Sequence, residues 1–157
     1  MSENTKSIHQ FKLKLNGADK SLSDYKNKVL LIVNIASGCG FAPQLKELQQ
    51  LREEFAGQGF EVLGFPSNDF GRQEPLEGEA INQYCEVTHG VQFPVFEKIF
   101  VRGEHAHPLF KTLTQTSTPR WNFHKYLVNK EGEVVDYFFP FTKPLSSKIK
   151  KKIQKLF

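Results

Sequence analysis

The sequence predicts an α/β domain with a mixed central β-sheet and helices on both faces of that sheet. Residues 30–36 form a nearly continuous apolar run, which is typical of a central strand that is covered on both faces. A helical pattern and a second apolar run at 60–65 follow with short connections. A strand–helix–strand unit of this kind pairs its strands in parallel through a right-handed crossover.

The whole chain, residues 1–157, is expected to form one domain. A length of 157 residues is that of an ordinary single domain with a sizeable core. No linker, internal repeat or low-complexity tract divides the sequence. We therefore treat all candidate functional residues as parts of one folded unit.

The N-terminal half contains a predicted hairpin and a predicted first helix. Residues 11–15 alternate apolar and polar side chains, and Asn16-Gly17 follows as a turn signal, which favours a β-hairpin. Pro43 suits the first turn of a helix, and Gly57 and Gly59 end that helix. The apolar face of this helix is formed by Leu45, Leu48, Leu51 and Phe55.

The second half adds further predicted elements in a consistent order. Hydrophobic spacing and turn signals predict a helix at 77–88, an extended piece at 96–101, a short helix at 107–113, strands at 123–129 and 134–139, and a final helix. This order is that of a thioredoxin-like fold, with the helices at 77–88 and 107–113 added between its two halves. The turn between the last two strands is expected at 130–132.

Much of the excess positive charge behind the net charge of +4 lies near the C-terminus, where residues 148–155 are rich in lysine. Apolar residues recur there at helical spacing, which predicts an amphipathic helix with outward lysines. The apolar positions are Leu145, Ile149, Ile153 and Leu156. The lysines form either a solvated face or a surface for acidic partners or anionic lipid head groups. Nothing in the sequence resembles a nucleic-acid-binding module.

A cytoplasmic location is expected, without stable insertion into a membrane. No apolar run approaches the roughly 20 residues that a membrane-spanning helix needs. Residues 1–6 also lack the apolar core of a secretory signal.

The chain has two cysteines, Cys39 and Cys85, and in a reducing compartment a static structural disulfide is not expected. They are therefore inert thiols, metal ligands or redox groups. Zinc is disfavoured because the histidines and cysteines show none of the usual ligand spacings. Cys39 stands between a strand and a helix, where backbone N–H groups favour a thiolate, and the adjacent glycines, Gly38 and Gly40, leave it open to a substrate. By position alone, Cys39 is either a small buried hydrophobe or a reactive thiol.

Three stretches, in the same order as in a known family, decide between those alternatives. They are VNIASGCGFAPQ at 33–44, GFPSNDFGRQEP at 64–75 and WNF at 121–123. These stretches resemble the signatures of the glutathione peroxidases, and the similarity runs from about residue 9 to the C-terminus.

The resemblance implies a catalytic tetrad of Cys39, Gln73, Trp121 and Asn122. A thiolate that attacks a peroxide oxygen needs donors for its own charge and for the departing alkoxide. Amide and indole N–H groups supply those donors without titrating near neutral pH. The expected activity is the reduction of hydrogen peroxide and of organic or lipid hydroperoxides.

The resemblance also gives Cys85 a role, because the segment around it is similar to the one that carries the resolving cysteine in two-cysteine members. There a sulfenic acid on the first thiol condenses with the second thiol, and thioredoxin reduces the resulting disulfide. If Cys85 faces the helix interior, the Cys39–Cys85 disulfide requires local unfolding. Two alternatives remain: a glutathione-dependent peroxidase in which Cys85 is idle, and a peroxide sensor that passes its oxidation to a partner protein.

The sequence departs from the family pattern at several positions. Ser67 stands where cysteine is common, so no third thiol competes for the sulfenic acid. Gly38 stands where lysine is frequent, which removes a positive charge near the thiolate. Ala42 and Asp69 also replace commoner residues. The short stretch 114–120 lacks the insertion of tetrameric members, which implies a monomer with an open site. We expect no bound cofactor or metal, with thioredoxin or glutathione as the reducing co-substrate.

Overall fold

The computed structural model describes residues 7–157 and contains a four-stranded sheet in the order β4–β3–β5–β6. The strands are β3 (Val29–Ile35), β4 (Phe60–Pro66), β5 (Lys125–Val128) and β6 (Val134–Phe138). β3 pairs in parallel with β4 and antiparallel with β5, and β5 pairs antiparallel with β6. The predicted mixed sheet and its parallel crossover are confirmed.

The central strand β3 separates two apolar cores because its side chains alternate between the faces of the sheet. Leu31 and Val33 belong to a core with α1 (Gln44–Phe55), α2 (Glu79–His89) and α4 (Ser147–Gln154). Leu30 and Ile32 belong to a second core with α3 (Pro108–Leu113) and the N-terminal hairpin. All seven residues of β3 are buried, as an apolar run without polar alternation predicts.

The N-terminal hairpin is a separate two-stranded sheet of β1 (Lys12–Leu15) and β2 (Ala18–Ser21). Asn16 and Gly17 both have positive φ, 53° and 83°, as the two-residue turn of a tight hairpin requires. The predicted hairpin is therefore confirmed. One short 3₁₀ turn, Ile8–Gln10, precedes it, and another, Leu22–Tyr25, connects it toward β3.

The extended piece predicted at 96–101 does not form a strand. An isolated bridge between Val95 and Gly64 lies just before it, where the Gly64 amide donates to the Pro94 carbonyl at 2.9 Å. The amides of Phe96 and Ile99 donate to the carbonyls of Gly64 and Pro66, at 2.9 and 3.0 Å. Because these bonds do not continue as a ladder, the segment lies beside β4 without regular secondary structure.

The strand predicted at 123–129 begins later, at Lys125. Phe123 has a φ of 71°, in the left-handed region, which is incompatible with strand geometry. The chain therefore turns sharply between the WNF motif and β5. This turn matters for the candidate site described below.

The C-terminal helix α4 follows the predicted amphipathic pattern. Ile149 and Ile153 are buried in the first core, and Leu145 and Leu156 pack against it. Lysines on the other face form ion pairs, for example Lys150 with Glu54 at 2.9 Å. None of the helices within residues 7–157 is long and apolar enough to cross a membrane.

Candidate active site

Cys39 lies in the turn that connects β3 to α1, with 6% of its surface exposed. The amide of Phe41 donates to the Cys39 Sγ atom at 3.3 Å. This donor belongs to the turn rather than to α1, which begins only at Gln44. The thiol is therefore held by a local backbone N–H, a contact that favours negative charge on the sulfur.

The turn that carries Cys39 packs directly against the loop that carries Gln73. The Gly38 amide donates to the Gln73 carbonyl at 2.6 Å. A Cβ atom at position 38 would lie 2.7 Å from that carbonyl oxygen, closer than real Cβ atoms approach. This close approach explains physically why residue 38 is a glycine here, and it places Gln73 beside the cysteine turn.

A buried carboxylate, Glu74, reinforces the same contact, although no sequence motif distinguishes it. Its Oε1 atom accepts from the Ser37 amide at 3.0 Å, and its Oε2 atom accepts from the Ser37 hydroxyl. Burial raises the pKa of the Glu74 carboxyl, while the bonds from Ser37 and the charge of Lys98 oppose that rise. Lys98 also donates to the Glu74 carbonyl at 2.9 Å. A glutamate inside a polar loop has no sequence signal that distinguishes it from a solvated one.

The third motif reaches the same place from the other half of the chain. The side-chain amide of Asn122 donates to Gln73 Oε1 at 3.2 Å. The Trp121 ring packs against Phe70, with ring centroids 5.5 Å apart. It also covers Gly71, where an added Cβ would lie 3.0 Å from the indole ring. Because Asn122 occupies the oxygen of the Gln73 amide, the nitrogen end of that amide remains as a donor.

The structure therefore brings the predicted tetrad residues to one edge of the sheet. Gln73 and Asn122 are in direct contact, and Gly38 joins the cysteine turn to Gln73. Trp121 packs against the apolar core that also contains Cys39. The nearly buried thiol thus lies in a turn that contacts the Gln73 loop, and the Gln73 side chain in turn contacts Asn122.

Cys85 occupies the inner face of α2, as the predicted helix at 77–88 requires, and only 2% of its surface is exposed. Both cysteines are free thiols and belong to the same apolar core. Burial raises the pKa of the Cys85 thiol to about 12, and the charge of Glu74 contributes to that rise. While α2 is folded, Cys85 is therefore held in its unreactive thiol form.

Two further polar residues contact the WNF turn and were not singled out from the sequence. They are Asn34, in the middle of β3, and Lys125, at the start of β5. Both are fully buried. Each carried a signal, since Asn34 interrupts an apolar run and Lys125 is a charged residue within a predicted strand. Within residues 7–157, no three histidine, cysteine or acidic side chains group as a metal site would require.

These observations first define a class of protein, a thioredoxin-like fold with a free cysteine in the turn that follows its central strand. A family model described as glutathione peroxidase matches residues 8–114, and the chain belongs to the glutathione peroxidase family. With that membership, the chain is a thiol-dependent peroxidase.

Individual relatives agree with this assignment. The chain is 51% identical to the glutathione peroxidase homolog BsaA of Halalkalibacterium halodurans, over 96% of this chain and 99% of the relative. It is 47% identical to the hydroperoxy fatty acid reductase gpx1 of Synechocystis, over 83% of this chain and 84% of the relative. Among solved structures, T. cruzi GPX1 is similar with a TM-score of 0.78 and 31% identity, covering 96% of this chain and 95% of that chain.

Proposed function

We propose that Cys39 reduces hydrogen peroxide and organic or lipid hydroperoxides, with Gln73, Trp121 and Asn122 as its catalytic partners. The observation that carries this proposal is the chain of contacts from the cysteine turn through Gln73 to Asn122. The fatty acid hydroperoxide reductase among the relatives supports the wider substrate range.

The first step forms a sulfur–oxygen bond and breaks the oxygen–oxygen bond of the peroxide. The Cys39 thiolate attacks the hydroxyl oxygen of the peroxide, and the other oxygen leaves as hydroxide or alkoxide and takes up the proton that the thiol released, which gives water or an alcohol. Cys39 becomes a sulfenic acid. The N–H groups of the Gln73 amide and the Trp121 indole are suited to hold the thiolate and the departing oxygen, because neutral donors remain protonated at working pH.

The second step regenerates the site through Cys85. The Cys85 thiol condenses with the Cys39 sulfenic acid, which forms the disulfide and releases water. Because Cys85 is buried and its pKa is raised to about 12, we infer that α2 opens before this step. Ser67 is buried at the position where a competing thiol would otherwise lie.

Thioredoxin then reduces the Cys39–Cys85 disulfide by thiol–disulfide exchange, and it is itself oxidised. The reaction needs no bound cofactor. We place it in the cytoplasm, where thiols are kept reduced, and in a monomer with an open site. The short connection between α3 and β5, residues 114–124, supports the open site since it adds no helix or strand over the motif.

The test compares wild type with Cys85→Ser, an isosteric change that removes only the second thiol. Each protein receives one equivalent of hydrogen peroxide, and its thiols are mapped by mass spectrometry. Turnover is then measured with thioredoxin and, separately, with glutathione as the reductant. The wild type should show a Cys39–Cys85 disulfide and turn over with thioredoxin, and Cys85→Ser should lose thioredoxin turnover.

The other outcomes distinguish the alternatives. Unchanged thioredoxin turnover in Cys85→Ser would rule out the resolving role. Faster turnover with glutathione than with thioredoxin, equal in both proteins, would instead favour a glutathione-dependent peroxidase with an idle Cys85. A disulfide that forms but turns over with neither reductant would favour a sensor that oxidises a partner protein.

A further inference from the structure

The WNF turn adopts a backbone conformation that its own residues do not favour. Phe123 has a φ of 71°, a region that bulky side chains rarely adopt. Such a conformation persists only when the surrounding structure holds it, and it is found most often near functional sites. The turn also carries Trp121 and Asn122, so whatever holds Phe123 also sets the positions of these two side chains.

Asn34 holds this turn from the centre of the sheet. Its side-chain amide donates to the Trp121 carbonyl at 3.0 Å. Its own backbone carbonyl accepts from the Phe123 amide at 2.6 Å. The backbone on both sides of Asn122 is thus bonded to one residue of β3, a strand whose seven residues are all buried.

Lys125 holds the same turn from the opposite face of the sheet. Its Nζ atom donates to the Phe123 carbonyl at 2.8 Å and to the Pro140 carbonyl at 3.1 Å. Side chains two residues apart on a strand lie on the same face of the sheet. Lys125 therefore shares its face with Leu127, which belongs to the first core, and Asn34 shares its face with Ile32, which belongs to the second. The two polar side chains therefore approach the turn from different cores.

Burying a lysine in a core carries a large desolvation cost. Lys125 has no exposed surface, and burial lowers the pKa of its amine to about 7. A methionine of similar length would fill the space without that desolvation cost. The amine supplies at least two N–H donors in either protonation state, and the two carbonyls it contacts match that number. Its contribution is therefore the anchoring of the backbone.

We propose that Asn34 and Lys125 form a clamp of two positioning residues, which keeps Trp121 and Asn122 aligned with Gln73 for the attack on peroxide. This inference rests on the proposed function, because it assigns the clamp to the first step of that reaction. The clamp residues act through the WNF turn and do not touch the peroxide themselves.

The test measures the rate constant for oxidation of Cys39 by hydrogen peroxide in a single turnover. Lys125→Met and Asn34→Leu remove the donors and keep similar volume, and Lys125→Arg keeps a donor. The control is Tyr126→Phe, which removes the hydroxyl that donates to the Ser117 carbonyl from the neighbouring position on β5. Lys125→Met and Asn34→Leu should each lower the rate constant by about 10- to 100-fold, as small misplacements of catalytic groups do.

Two readouts separate positioning from general loss of stability. Trp121 is the only tryptophan, so a difference in fluorescence anisotropy between folded variants of the same size reports the mobility of this turn. Anisotropy should fall in the two clamp variants and stay at the wild-type value in Tyr126→Phe. In an Asn122→Ala background, where the aligned donor is absent, Lys125→Met should cost less than about threefold, since coupled residues are not additive. Lys125→Arg should recover part of the rate.

Wild-type rate constants in folded Lys125→Met and Asn34→Leu would overturn the clamp and leave the proposed function intact. If Lys125→Met does not fold, a Lys125→Arg variant that oxidises no faster than Asn34→Leu would overturn it equally. A Cys39→Ser variant that still consumes peroxide at the wild-type rate would instead contradict the proposed function itself.

Discussion

Weakening α2 at an exposed position should accelerate formation of the Cys39–Cys85 disulfide without changing the reaction with peroxide. Gln83 is exposed in the middle of α2, between Ile81 and Cys85, the helix residues that are buried. Glycine at position 83 disfavours the helix by about 0.7 kcal/mol relative to glutamine, because it has more backbone freedom to lose. The buried contacts of α2 are unchanged by this substitution.

The size of the effect follows from the state of Cys85 in the folded protein. With its pKa raised to about 12 by burial, the Cys85 thiol is ionised at pH 8 in about one molecule in 10,000. An ordinary thiol of pKa about 8.5 is ionised in about one quarter of molecules at that pH. In the proposed mechanism, opening of α2 precedes the disulfide, and a helix weaker by about 0.7 kcal/mol opens about threefold more often.

The assay mixes reduced protein rapidly with one equivalent of peroxide, quenches by alkylation, and counts sulfenic acid and disulfide by mass spectrometry. Gln83→Gly should form the disulfide about threefold faster than wild type and about four- to fivefold faster than the matched variant Gln83→Ala. Both variants should lose the Cys39 thiol at the wild-type rate. Equal rates of disulfide formation in the glycine and alanine variants would refute the requirement for α2 opening.

Two further predictions concern the cysteine turn and the buried lysine. Gly38→Ala should lower kcat/KM for peroxide by about 10- to 100-fold, because its Cβ would lie 2.7 Å from the Gln73 carbonyl and must displace that loop. The control is Gly40→Ala, whose Cβ would meet nothing within 4 Å and which should have little effect on kcat/KM. Equal losses of kcat/KM in the two variants would contradict this reasoning. Burial lowers the pKa of Lys125 from 10.5 to about 7, although the charge of Glu47 opposes this change. Between these two pH values the unfolded chain binds a proton that the folded chain does not bind. The stability of the folded protein therefore rises with pH in this range. The measurement is the free energy of unfolding in urea for wild type and for Lys125→Met. The wild-type value minus the variant value should increase by up to about 1.4 kcal/mol per pH unit between about pH 8 and 9.5. A difference that stays constant with pH would show that the pKa of Lys125 is not lowered in the folded protein.

The elements that sequence reasoning predicts well are those with strong local signals. The apolar run of β3, the turn at Asn16-Gly17 and the amphipathic pattern of α4 each determine their structure locally, and the structure contains all three. The extended piece at 96–101 fails as a strand because apolar content does not specify a hydrogen-bonding partner. Beyond the bridge at Val95, the amides of Phe96 and Ile99 donate to isolated carbonyls of β4, and the Glu97 amide donates to Lys14 of β1, so that no ladder forms.

The residues of the candidate site also fall into two groups, those that a sequence motif indicates and those that only the tertiary structure reveals. The motifs indicate Cys39, Gln73, Trp121 and Asn122 by residue type, and the contact between Asn122 and Gln73 joins two of these motifs. Glu74, by contrast, stands in a polar loop, and its burial depends on how that loop folds against Ser37. Such burial is a property of the tertiary structure, so a local pattern cannot reveal it.

The backbone at Phe123 is the clearest case of this limit. Nothing in the residue type predicts a positive φ for phenylalanine, and strand propensity favours extending β5 through it. Contacts from Asn34 and Lys125, which are distant from each other in sequence, hold the turn in place. The departure from the local preference coincides with the site, where proteins most often keep strained backbone.

The central claim is that Cys39 is the nucleophile toward peroxide, and single-turnover consumption of peroxide tests it most directly. With one equivalent of hydrogen peroxide, Cys85→Ser should consume the peroxide at the wild-type initial rate and carry a sulfenic acid at Cys39, detected by a dimedone adduct. Cys39→Ser should consume none above the buffer rate. Consumption of peroxide by Cys39→Ser at the wild-type rate would contradict the account.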